Sequence, residues 1–161
     1  MPDIFIPRDT SGITSYFSNI INTGILYQFA LEYSDKNHDK LDKFGNYKEL
    51  YEYLKQQPLV YELADFAASK GIKKRPTLME ISRNLIETQL HAYIIRNFFD
   101  NEGFYPVFLH DDATLNKAID VIKKGLWKPE VYSQYNDTEK KSLSSAYISG
   151  GIMSKPLYAY T

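Results

Sequence analysis

The densest group of potential ligands in the chain is Asp35-Lys36-Asn37-His38-Asp39, which matches positions one, three and five of a calcium-binding EF-hand loop. The match stops where that loop is most demanding. Position six is Lys40 instead of glycine and position twelve is Asn46 instead of a bidentate glutamate, so the sharp turn and two oxygens are missing. A solvated helix end is the expected reading. His91 follows Glu87 by one helical turn, a spacing at which a carboxylate can orient an imidazole for general-base or metal work. No second histidine or thiol converges on it at helical spacing, so a structural Glu87–His91 contact is expected. In His110-Asp111-Asp112, helix capping by Asp111 or Asp112 accounts for the aspartates without a metal. Arg96 falls in the most apolar part of its helix, where a guanidinium needs carboxylate or carbonyl partners. An internal ion pair is expected there in preference to a docking contact. Phe98, Phe99, Phe104, Tyr105 and Phe108 form either core under a loop, the expected case, or a peptide groove.

The elements that must position these residues follow from periodicity. Ile13, Phe17 and Ile20, then Leu26, Phe29, Ala30 and Tyr33, recur at amphipathic helical spacing and change phase at Asn22-Thr23-Gly24. That predicts two helices or one kinked helix. Asn46 offers a cap to a stripe of Tyr47, Leu50, Tyr51 and Leu54 that Pro58 stops, and Leu59, Leu63, Phe66 and Ala67 form a stripe ended by Gly71. Thr77-Leu78-Met79-Glu80 reads as a capping box. From it the longest helix is predicted to run to about Asn101, apolar nearly all round toward its end and therefore central. Gly103 to Leu109 is predicted as an aromatic loop or short extended segment, and Leu115, Ala118, Ile119 and Ile122 as the inward face of a last clear helix ended by Gly125. Beyond Trp127-Lys128-Pro129 only Asp137 to Tyr147 suggests one more short helix, before an extended tail from Ile152 to Thr161.

The fold class is thus all-α, about six helices around a long central one, with a short N-terminal strand and an irregular or extended C-terminal tail. Ile4-Phe5-Ile6 between Pro2 and Pro7 cannot continue as helix. Residues 1–10 read as a remnant strand and linker, 11–127 as the helical domain and 128–161 as the tail. Composition bounds the rest. The chain has 161 residues, 43% hydrophobic and 24% charged, as in an ordinary globular domain. Nineteen basic against twenty acidic residues give a net charge of −1, which supplies no field for nucleic acid. There is no cysteine, which excludes disulfides and thiolate chemistry. No apolar run reaches the roughly 20 residues that span a bilayer, and the start lacks the regions of a signal peptide.

Met1-Pro2-Asp3-Ile4-Phe5-Ile6-Pro7-Arg8-Asp9-Thr10-Ser11-Gly12, with Ile13 to Phe17, Leu26 to Lys36 and Ala92 to Asn97, closely resembles the carboxy-terminal processing (tail-specific) serine peptidases of Bacteroides-type bacteria. The resemblance spans residues 1–127 and is specific over 1–36. It implies that a strand of this type closes the catalytic core and that a helical region follows it. The chain would then be the non-catalytic C-terminal part of a serine endopeptidase, with a packing, substrate-guiding or oligomerisation role, in a periplasmic or envelope parent whose export signal lies upstream. Its implied partners are the parent's catalytic core and a protein or peptide substrate. A strand without neighbours is expected to pair with Leu157 to Tyr160 or with a second copy, giving a homodimer. The family's chemistry uses a serine activated by a lysine. Ser142-Leu143-Ser144-Ser145-Ala146-Tyr147 comes nearest to the serine motif but lacks the following acidic residue and lies beyond the closing strand. No residue is therefore assigned a catalytic, cofactor-binding or metal-binding role. The alternative function is a self-sufficient helical peptide- or protein-interaction module.

Overall fold

A computed structural model describes residues 6, 7 and 9–125, and the described part is all-helical. Eight helices occur among the described residues: α1 (Ser15–Asn22), α2 (Ile25–Lys36), α3 (His38–Leu41), α4 (Tyr47–Leu54), α5 (Leu59–Ser69), α6 (Pro76–Ile81), α7 (Arg83–Phe108) and α8 (Ala113–Lys123). Residues up to Ala113 form one compact unit and those from Thr114 a second. The strand at Ile4 to Ile6 lies mostly outside the described residues, and Ile6 itself is not in a strand. The helix at Asp137 to Tyr147 and the tail also lie outside them.

In the first unit α2, α4, α5 and α6 pack on α7, the central long helix that the apolar pattern predicts. Its Ile86, Leu90, Ala92, Ile94 and Ile95 are fully buried against Leu26, Leu50, Leu54 and Leu63 of its neighbours. Burying one such side chain contributes about 1.5–3 kcal/mol, so this seam decides the fold. A polar tie crosses it: the Asn97 amide donates to Ser34 Oγ at 2.9 Å, and the Ser34 hydroxyl donates to the Ala30 carbonyl. Local signals hold at several ends. Gly24, at φ 72°, separates α1 from α2. Asn46 Oδ1 accepts from the Lys48 and Glu49 amides, while the Asn46 amide donates to the Glu49 carboxylate. Gly71, at φ 92°, ends α5 with Ile72 N–H donating to Ala67 and Gly71 N–H to Ala68, the paired bonds of a Schellman motif.

The start of the long helix differs from the capping-box expectation. Pro76 takes the first helical position, where its missing N–H costs nothing, and Arg75 stands at the cap with no side-chain bond. Thr77 is therefore inside α6 and exposed. The chain breaks instead at Ser82, whose hydroxyl donates to the Gly12 carbonyl at 2.7 Å and meets Thr14 Oγ1 at 2.7 Å. Thr14 in turn caps α1 through the Phe17 amide. A hydroxyl network fixed by residues about seventy positions away thus divides α6 from α7. Ser82→Ala is expected to lower stability by about 1–2 kcal/mol, since the half-buried Gly12 carbonyl and Thr14 hydroxyl both lose their partner. Thr77→Ala should leave the denaturant midpoint nearly unchanged. The reverse order would return the helix start to Thr77.

The far end differs too. Asp100 takes φ 47°, ψ −143°, a region an L-residue enters at a cost of about 1–3 kcal/mol, and α7 turns there. Residues 103–108, predicted as a loop, are helical. Phe104 and Val107 are buried, whereas Pro106 lies on the exposed side. The folded-back segment sits so close that a Cβ on Gly103 would lie 2.5 Å from Ile95 Cγ2, 2.8 Å from Phe99 Cβ and 3.0 Å from Tyr47 Cβ. The glycine that reads as a loop residue is a contact point between two helical segments. The second unit contains α8, with its apolar residues at the predicted spacing, but the face expected to turn inward is exposed: Leu115, Ile119 and Ile122 are 37%, 39% and 65% accessible.

Candidate functional site

Asn84, Thr88 and His91 recur at i, i+4 and i+7, so α7 carries them as one polar line running from the exposed Asn84 to the buried His91. Across from it α4 presents Tyr51 and Lys55, again one turn apart. Between them lies a hollow of about 130 Å³, lined also by Glu87 and Asp111. A second hollow of about 390 Å³ adjoins it, sharing Asn84, Thr88 and Asp111 and adding the apolar Leu85, Phe108 and Leu109. One wall is therefore polar and the other greasy.

His91 is the innermost member, 4% exposed, with its ring edge-on to Tyr51 at 5.7 Å. It makes no hydrogen bond among the described residues. Yet its ring nitrogens are not sealed from solvent, as the Tyr16 hydroxyl is. Burial, and then the charge of Lys55, push its pKa from the usual 6.5 down to about 4, so the imidazole is neutral at pH 7 and carries one N–H donor and one acceptor. Glu87 does not partner it as expected. The Arg83 guanidinium grips both oxygens of Glu80 and takes one oxygen of Glu87 at 3.3 Å while resting on the Tyr61 ring, and its charge holds the carboxylate where a neutral imidazole does not. Lys55 pairs with Glu52 at 3.1 Å and lies over Tyr51. Asp111 meets the exposed His110 ring at 2.8 Å.

The other candidates fall elsewhere. Asp35 belongs to α2 and Asp39 to α3, and Asn37 between them turns its amide back onto the Tyr33 carbonyl. The first half of the would-be calcium loop, residues 35–41, is thus nearly continuous helix. The hollow beside it is lined by Lys36 and Lys40 as well as Glu32 and Glu62, a mixture that leaves a dication no shell of oxygens. Among the described residues no group of three or more His, Cys, Asp or Glu side chains is placed to hold a metal. Arg96 is exposed, and its expected buried ion pair is replaced by a cation–π contact, 5.3 Å above the Phe104 ring. Of the aromatic group, Phe104 is core, Phe98, Phe99 and Phe108 are half-buried against it, and Tyr105 is 52% exposed. Ser142 to Tyr147 lies outside the described residues.

An aromatic row connects this cluster to the surface through the buried Phe104. Tyr27 of α2, 47% exposed, meets Tyr93 edge-on at 5.4 Å. Tyr93 reaches Phe104 at 5.7 Å, and Phe104 reaches Tyr105 at 5.3 Å. Sequence reasoning missed Asn84, Thr88, Lys55, Tyr51 and Tyr27 as site residues. The signal for the first two was present in the i, i+4, i+7 polar spacing around His91, whereas α4 and α2 are brought in only by tertiary packing.

No curated protein and no solved structure matches the chain. A family model described as a family of unknown function (DUF8443) matches residues 16–100, more than half of the sequence, and the chain belongs to that family.

Proposed function

We propose that this chain is a non-catalytic helical module that docks on a protein partner, and that the partner is the catalytic core of a tail-specific serine peptidase in the periplasm or cell envelope. The observation that carries the docking role is the row Tyr27, Tyr93, Phe104 and Tyr105 with Arg96 stacked upon it. Tyrosine and arginine concentrate where interfaces bury their hot spots, because each combines a large contact area with directional polar atoms. The choice of partner is supported by the resemblance of residues 1–36 to the peptidase family. A stand-alone interaction module, the second reading, uses the same face with a different partner.

The test mixes the chain with a tail-specific peptidase core that lacks its own helical region. Association is expected, weakened by at least about 2 kcal/mol in a Tyr27→Ala, Arg96→Ala double variant, and the chain alone should leave unstructured peptides intact. Cleavage by the chain alone, abolished by a serine-reactive inhibitor, would overturn the non-catalytic reading. Failure to associate would remove the peptidase core as partner.

A further inference from the structure

The two adjoining hollows beside His91 lie apart from any step in that proposal, and their lining is specific enough to name an occupant. His91 is 4% exposed and makes no hydrogen bond among the described residues, so only what enters the hollow can reach its ring nitrogens. His91, Thr88 and Asn84 line the same hollow. A group that a ligand would satisfy is thus already in place.

The charges select the ligand's class. Lys55, paired at the exposed rim with Glu52, supplies a cation to the small hollow, and Asp111, beside His110, supplies a carboxylate where the small and large hollows meet; exposed pairs of this kind are weak enough to give way to a ligand. Glu87 is turned toward Arg83, which it shares with Glu80. With both signs present and close together, a simple anion would face Asp111 and a simple cation would face Lys55. A molecule bearing both charges meets each with its opposite. Leu85, Phe108 and Leu109 then offer apolar surface just beyond the carboxylate, and about 390 Å³ falls in the range of small-molecule sites.

We propose that this double hollow binds a free α-amino acid with an apolar side chain, its carboxylate toward Lys55 and Thr88, its ammonium toward Asp111 and its side chain among Leu85, Phe108 and Leu109. His91 contributes its N–H to the carboxylate as a positioning group. A free amino acid is specified over a peptide end because a peptide terminus carries only one of the two charges beside its side chain.

The full chain is titrated with leucine, N-acetyl-leucine and leucinamide, following heat and the ring signals of its three histidines. Leucine should saturate a single site and shift the His91 signals, with both blocked analogues about tenfold weaker or worse, which corresponds to about 1.4 kcal/mol for each lost charge. Thr88→Val and Lys55→Met should weaken leucine about fivefold or more while leaving the melting temperature of the free protein unchanged, a separation that a purely structural role would not produce. No saturation and no His91 shift by about 10 mM leucine, a concentration that would reveal any affinity stronger than roughly 3 kcal/mol, would overturn the site. N-acetyl-leucine binding as well as leucine would overturn it in favour of a peptide C-terminus, and leucinamide doing so would overturn it in favour of an amine.

Discussion

Gly103→Val is expected to lower stability by about 3 kcal/mol or more, among the largest effects of any single substitution outside the aliphatic core. On propensity alone the change should help, since glycine inside a helix is worse than an ordinary residue by several tenths of a kcal/mol. Packing opposes it from three directions. Even the first added carbon would lie 2.5 Å from Ile95 Cγ2 and 2.8 Å from Phe99 Cβ. These atoms are tied closely to their backbones, so they cannot swing aside like the end of a lysine. Relief requires the 101–108 segment to lift away, which exposes Phe104 and Val107. Denaturant melts should show the lowered midpoint, and amide exchange should show protection lost first over 101–108. An unchanged midpoint would mean that the chain does not fold back at Asp100.

The same region shows what the sequence makes legible. Stripes such as Leu50 and Leu54, or Leu59, Leu63 and Ala67, announce their helices because the 3.6-residue period is written in each segment alone. Asn46 and Gly71 announce ends for the same reason: the bonds they make are with residues no more than five positions away. The break at Ser82 was invisible because its cause is the Gly12 carbonyl and the Thr14 hydroxyl. The turn at Asp100 was invisible because no rule places a non-glycine residue at φ 47° in advance of the packing that holds it there. Gly103 and Pro106 read as breakers, and only the surfaces of Ile95 and Tyr47 explain why the chain needs a glycine inside a helix.

The candidate site divides in the same way. His91 stood out as one polar ring in an apolar run, but its expected partner Glu87 turned to Arg83, because a charged guanidinium attracts a carboxylate more strongly than a neutral imidazole does. The facing residues Tyr51 and Lys55 are ordinary surface types whose relevance begins only when α4 packs on α7. That packing joins fold to chemistry. It desolvates His91, brings Lys55 close enough to disfavour imidazolium and leaves the hollow that the proposed ligand fills.

Acidification provides the second large effect. In the unfolded chain His91 takes a proton near the usual 6.5, whereas in the folded chain it resists until about 4. Between those values the unfolded state binds more protons, so stability falls as pH is lowered from 6.5 and the loss is complete below 4. The gap amounts to about 3 kcal/mol. The exposed Glu32 and Glu80, whose carboxylates are held below their usual 4.5 by Lys36 and Arg83 respectively, also lose stability on acidification but do so below that value, outside most of the histidine window. Urea melts at pH 7, 5.5 and 4.5 should therefore show a decline that His91→Gln largely removes, because glutamine keeps a polar group at the hollow and cannot take up the proton. An equal decline in the variant would place the acid sensitivity elsewhere, and no decline in the parent would mean that His91 is solvated and α4 does not close over it.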